Sequence, residues 1–237
     1  MTDSKLINYK ERIVNLFTDV TEETCREAIE KIQEINIKDD DYIANSMAIL
    51  TSMGFATDPG NIKLPPIIFN LSTFGGDVYS GFGLCDSIRM SETSVKIICY
   101  GKVMSMGIPI LLSGHFRAAH KNTTFMLHDV SSCTWGKTRE MEECIEQNKI
   151  LREKMIEYIC SRTKFPRKKL MDIIDKKQDF YFSAEEALKW KFIDEIIDDK
   201  LSEPETEKDD KKSSIKSVSK TKTKTSKKSK KEDGNEK

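Results

Sequence analysis

Two near-continuous apolar runs, residues 67–71 (IIFNL) and 95–100 (VKIICY), constrain this chain more than any other feature. A strand that is apolar throughout is covered on both faces, which is the usual state of a strand in a parallel sheet. The first run ends in Ser72-Thr73-Phe74-Gly75-Gly76, a turn, and residues 78–90 then follow a helical pattern. The second ends at Gly101, and a short helix is expected over 105–112 until Ser113-Gly114 breaks it. Strand and helix in alternation predict an α/β domain built on a largely parallel sheet.

The rest of the chain extends this reading. Residues 12–17 (RIVNLF) have the content of a short strand, and 124–128 (TFMLH) that of a third core strand. A helix is expected over 19–36, with Glu22 and Glu23 in its first turn and an apolar stripe of Cys25, Ala28, Ile29, Ile32 and Ile35. A separate helix is expected over 42–50, and Pro59-Gly60 and Pro65-Pro66 mark 57–66 as a loop. Residues 138–162 form a long amphipathic pattern, with a further helix at about 166–174. Ser183 with Glu186 three residues on is a capping box, and a strand is expected over 192–197.

Charge divides the chain. It holds 39 basic and 39 acidic residues in all, while residues 201–237 carry twelve lysines against eight acidic residues, or +4. Residues 1–200 are therefore at −4, a mildly acidic body behind a basic tail. A Lys/Ser/Thr-rich segment buries too little apolar surface to offset its ordering entropy, so 201–237 are expected to be disordered and 1–10 flexible. A nucleic-acid role for the tail is disfavoured, because lysines without aromatics give only salt-sensitive, non-specific attraction. No apolar run approaches the roughly 18 residues needed to span a membrane, and the first ten residues lack the apolar core of a secretory signal. Six cysteines without a CxxC pair read as reduced thiols in a cytoplasmic protein. They do not cluster with the three histidines, so no metal site is expected.

The glycine-bearing strand ends carry the chemistry. In a parallel sheet ligands sit beyond the carboxyl ends of strands, and glycine lets backbone N–H groups approach them closely. A serine at the start of a helix, beside exposed backbone donors, joins a nucleophile to an oxyanion hole. Ser105 is in that position. Taken alone it reads more readily as an ordinary helix N-cap, and Gly75-Gly76 more readily as a plain tight turn. His128 alone reads as a core histidine, and His115 and His120 as surface residues of a polar loop.

Spacing along the whole chain changes this. Gly75-Gly76-Asp77, Gly101-x-x-x-Ser105-Met106-Gly107, Met126-Leu127-His128, Asp179-x-x-x-Ser183-Ala184-Glu185-Glu186-Ala187 and Phe192-Ile193-Asp194 together resemble the proteolytic subunit of the Clp protease, the ClpP family, over about residues 11–198. The resemblance implies a ClpP/crotonase-like spiral of ββα units in residues 11–200, with a protruding handle helix at about 130–162. It implies a serine endopeptidase in which Ser105 is the nucleophile, His128 the general base and Asp179 the orienting acid, with the backbone N–H groups of Gly76 and Met106 as the oxyanion hole. Asp175 and Asp172 compete for the acid's role, and Asp129 is expected to point away from His128 by strand alternation. The family uses no cofactor for hydrolysis. Its partners are unfolded polypeptides, stacked seven-membered rings of like subunits and an AAA+ Clp unfoldase.

The chain departs from the family in several places. Asp129 to Gly136 (DVSSCTWG) replaces the usual Gln-Pro and glycine-rich stretch, Phe74 stands where a proline is usual, and Asn70 replaces an apolar residue of the unfoldase pocket. The alternatives are a catalytically silent structural subunit of a mixed Clp ring, a crotonase-type acyl-CoA enzyme, which shares the spiral and a two-N–H oxyanion hole, and a virus-encoded member acting in capsid maturation.

Overall fold

The computed structural model describes residues 8–56, 58–131 and 135–198, so residues 1–7 of the expected flexible start and the whole basic tail lie outside the described residues, while Asn8 to Lys10 lead into an ordered turn. After a 3-10 turn at Tyr9–Arg12, the chain forms β1 (Ile13–Leu16), α1 (Glu22–Ser52), β2 (Ile67–Thr73), α2 (Val78–Met90), β3 (Val95–Met104), α3 (Gly107–Ser113), β4 (Phe116–His120), β5 (Thr124–Leu127), α4 (Thr138–Arg162), α5 (Arg167–Asp175), β6 (Phe180–Phe182), α6 (Ala184–Lys189) and β7 (Glu195–Ile197). The sheet runs β1-β2-β3-β4-β7, with β5 paired to β3 and β6 paired to β5. Every pairing is parallel except β5 with β6. The expected α/β fold with a largely parallel sheet is what forms.

The ten-residue strand β3 organises the sheet. Its first half pairs with β2 on one side and β4 on the other, in the register Cys99 to Leu71 and Ala119. Gly101 then adopts φ +59°, a left-handed conformation that glycine takes without a Cβ clash. Beyond it Lys102–Met104 pair with β5 instead of β4. One strand therefore feeds two neighbours on the same edge, and its far end is steered towards β5. Opposite it, the β2 register slips between Leu71 and Thr73, a local irregularity of the kind that re-aims strand ends beside functional sites.

The helices cover the sheet. α2 packs between α1 and α3, and α4 packs on α3 and α5. Every residue of α3 is buried. Gly81 of α2 leaves room for the fully buried Met106, whose Cγ would stand 2.5 Å from a Cβ at that position. Behind β6, Phe165, Phe180, Phe182, Trp190 and Phe192 form an aromatic cluster with centroids 4.9–5.9 Å apart. Lys169 caps it, its ammonium 4.2 Å from the Phe180 ring centre and 4.3 Å from that of Trp190.

Several expectations are corrected. The two helices at 19–36 and 42–50 are one helix of 31 residues. Residues 37–41 (IKDDD) contain neither Gly nor Pro, and the acid that would be costly inside, Asp39, is matched by Arg12 at 2.6 and 2.7 Å. His120 does not lie in a polar loop. It closes strand β4, and its ring centre is 4.6 Å from that of Tyr100 on β3. The short helix begins at Gly107, not Ser105, so Ser105 is not a helix N-cap residue. The strands expected to end at Tyr100 and to begin at Phe192 are β3, which continues to Met104, and β7, which begins at Glu195.

Candidate active site

Strand register brings three side chains together. Met104 is paired with Met126 across β3 and β5, so Ser105 emerges beside the end of β5. The Ser105 N–H donates to the Met126 carbonyl at 3.0 Å and fixes that junction. Leu127 is paired with Phe180 across β5 and β6, and one further step in this antiparallel register sets His128 opposite Asp179. The aromatic cluster that anchors Phe180 thereby fixes the residue before it. Asp172 and Asp175, the competing acids, are engaged elsewhere, Asp172 with Lys176 at 2.7 Å and Asp175 with Arg152 at 2.8 Å.

The contacts follow. The Nε2 of His128 lies 2.7 Å from the Oγ of Ser105, within hydrogen-bond distance. On the other side of the ring, Nδ1 is 3.6 Å from Oδ1 of Asp179, an ion-pair distance too long for a hydrogen bond. The His128 side chain is 28% exposed and that of Asp179 54% exposed, so the orienting side of the ring is the wetter one. Asp129 turns away from the ring. Its Oδ1 accepts from the Val130 N–H at 2.8 Å and stands 3.5 Å from Arg152 Nε.

Ser105 itself has φ +52°, a conformation that L-residues other than Asn and Asp rarely take. Strain of this kind persists only where the surroundings impose it, and it concentrates at functional sites. Here the constraints are the Met126 carbonyl before it and the Ile108 N–H, which donates to the Ser105 carbonyl at 3.0 Å. The result is a sharp strand-to-helix turn that lifts Oγ towards His128.

The donor side is equally constrained. Gly75 and Gly76 adopt φ +106° and +146°. Val20 clasps them, its N–H donating to the Gly75 carbonyl and its carbonyl accepting from the Asp77 N–H, each at 2.8 Å. Neither bond uses the Gly76 N–H. Met106 directly precedes α3, where backbone N–H groups have no partner within a helix. Phe74, 61% exposed, forms the rim with Lys102, whose Nζ is 4.2 Å from the ring centre. Among the described residues, no group of three or more His, Cys, Asp or Glu could hold a metal ion, and no helix is long and apolar enough to cross a membrane.

Residues 61–200 match the family described as Clp protease. The chain belongs to the Clp protease family. It is similar to the ATP-dependent Clp protease proteolytic subunit of Deinococcus radiodurans, 35% identical over 126 residues, which are 52% of this chain and 61% of that relative. The match thus spans about three-fifths of the relative's length. Among solved structures it is similar to a point mutant of ClpP1 from Listeria monocytogenes, with a TM-score of 0.62 and 21% identity over 81% of this chain and 94% of the other. This Clp protease family member therefore has the ClpP fold. Sequence reading missed β4, β6 and the place of Arg152 between Asp129 and Asp175. Strands of only five and three residues and one arginine 24 residues beyond His128 leave no local signature.

Proposed function

We propose that the chain is a serine endopeptidase that hydrolyses peptide bonds with Ser105, His128 and Asp179. The observation that carries this reading is the 2.7 Å contact between Ser105 Oγ and His128 Nε2 on a strained turn, with Asp179 across the ring. His128 takes the hydroxyl proton as Oγ adds to the substrate carbonyl. The backbone N–H groups of Gly76 and Met106 receive the resulting oxyanion, and His128 returns the proton to the leaving amine. Water, activated by the same imidazole, then releases the acyl group and regenerates Ser105. Asp179 holds the imidazole orientation and stabilises its cation, and its 3.6 Å separation is of the loose kind that tightens when substrate binds.

Membership of the family supports the wider setting. We assign residues 11–200 to the peptidase domain, with α4 as the core of a handle at about 130–162, working in the cytoplasm inside an assembly of stacked rings. Unfolded polypeptides or short peptides are the substrates, fed by an AAA+ unfoldase. The test is fluorophosphonate labelling of the purified protein, read by mass spectrometry. An adduct on Ser105, abolished in Ser105→Ala and His128→Ala, is the expected result. An intact assembly that takes no adduct would overturn the reading in favour of a silent structural subunit.

A further inference from the structure

A single guanidinium joins the two segments that carry the candidate base and acid. Arg152 belongs to α4, whose neighbouring Leu151 and Ile156 are buried in the core. Its Nη2 donates to Oδ1 of Asp175 at 2.8 Å, and its Nε stands 3.5 Å from Oδ1 of Asp129. Asp129 is the residue after His128. Asp175 is the last residue of α5, four before Asp179. The Nε atom is buried and makes no hydrogen bond, so this arm of the bridge has slack that a small approach of Asp129 would take up.

We propose that Arg152 is a positioning residue, which sets the spacing of His128 and Asp179 by holding Asp129 and Asp175 to the handle helix. The inference rests on the peptidase reading for its kinetic consequence and on geometry alone for its mechanical one. An ion pair this exposed, with Asp175 at 65%, adds little to global stability, so its effect falls on local geometry. The His128–Asp179 contact is itself 3.6 Å long and has room to lengthen or tighten. In catalytic constellations, a displacement of about 1 Å can cost on the order of 100-fold in rate. Lysine reaches one carboxylate at a time, whereas the arginine fork spans two.

The test compares full-length wild-type protein with Arg152→Met and Arg152→Lys. Arg152→Met is expected to slow acylation of Ser105 by a small fluorophosphonate roughly 10–100-fold, with peptide KM within about twofold and an unchanged melting temperature. Arg152→Lys is expected to recover part of the rate. Hydrogen exchange supplies a readout independent of activity: in Arg152→Met, amides of residues 128–131 and 175–180 are expected to exchange faster together. Equal acylation in Arg152→Met and wild type would overturn the inference while leaving the peptidase reading intact. If wild-type Ser105 took no adduct, the peptidase reading would fail, and exchange would still decide the bridge. Joint loosening of the two segments would support it, and unchanged protection would overturn it.

Discussion

A Cβ on Gly75 would stand 2.6 Å from the Cβ of Ser105, closer than two carbon atoms can approach without bonding. The same atom would stand 3.0 Å from the Met104 carbonyl oxygen and from the Met106 nitrogen. The turn after β2 and the turn after β3 therefore touch through a position where only hydrogen fits, and the φ of +106° at Gly75 points the same way. The obstacles are the Ser105 Cβ and the Met104 and Met106 backbone on either side of it, none of which can swing aside as the far end of a flexible side chain could. Gly75→Ala is expected to displace Ser105, lower fluorophosphonate labelling by at least about 100-fold and destabilise the fold by about 1–3 kcal/mol. Intact labelling in a folded Gly75→Ala protein would show that the two turns can separate without loss.

The acid is tested by Asp179→Asn, which keeps the side chain's size and removes its charge. If Asp179 orients and stabilises the His128 cation, turnover of a fluorogenic peptide falls by roughly 1,000–10,000-fold with little change in KM. A loss under about tenfold would mean that another group supports the imidazole. Asp129 and Asp175 are excluded by their places at Arg152.

Much of this arrangement was legible in the sequence because its signals are local. Glycine at Gly75 and Gly76, the apolar run of β2 and the Ser183–Glu186 capping box each announce themselves within a few residues. The backbone of Ser105 did not. A serine before a helix reads as an N-cap, and only the pairing of β3 with β5 forces it to φ +52°. The unity of α1 was hidden for a related reason. Three consecutive aspartates look like a solvated break until Arg12, 27 residues earlier, is seen to neutralise one of them. Contacts far apart in sequence were beyond reach, and they are what set the distances in the site.

That Arg12–Asp39 pair is almost fully enclosed, with both side chains 6% exposed. Arg12 also donates to the Pro65 carbonyl at 2.7 Å, and Asp39 accepts from Thr93, so β1, α1 and the starts of β2 and β3 meet there. Removing one partner leaves a buried charge without compensation, at a typical cost of about 3–5 kcal/mol. Arg12→Met is expected to lose that much in urea unfolding. Arg12→Met/Asp39→Leu is expected to recover most of it, because matched apolar groups can replace a buried ion pair. Equal stability of Arg12→Met and wild type would show that water reaches Asp39.

Thiol reactivity should follow burial. Desolvation raises the Cys25 thiol to about 11, with the Asp77 charge adding to it, and the Cys85 thiol to about 12. Burial pushes Cys99 higher still. The thiolate is the reactive form, and in mildly alkaline buffer it is scarce at all three. Cys144, on α4, is only half-buried. Iodoacetamide on native protein is expected to modify Cys144 within minutes and to reach Cys25, Cys85 and Cys99 only after unfolding. Early modification of Cys85 would reveal opening of the α2–α3 layer.

His115 gives the fold a pH dependence away from the candidate site. Its Nδ1 accepts from the Val95 N–H at 3.1 Å at the start of β3, so this nitrogen must carry no proton. Burial, with the Arg89 charge adding to it, lowers the pKa of the ring below the usual histidine value. The unfolded chain therefore binds the proton more readily than the folded one. The associated stability is complete above the unfolded pKa of about 6.5 and is lost as pH falls through the folded value. In His115→Asn an amide oxygen can accept the same N–H and does not titrate. Between about pH 7.5 and pH 5 the wild-type melting temperature is expected to fall more steeply than that of His115→Asn. Parallel curves would place the acid sensitivity in other groups and show that protonated His115 is accommodated without loss of the β3 contact.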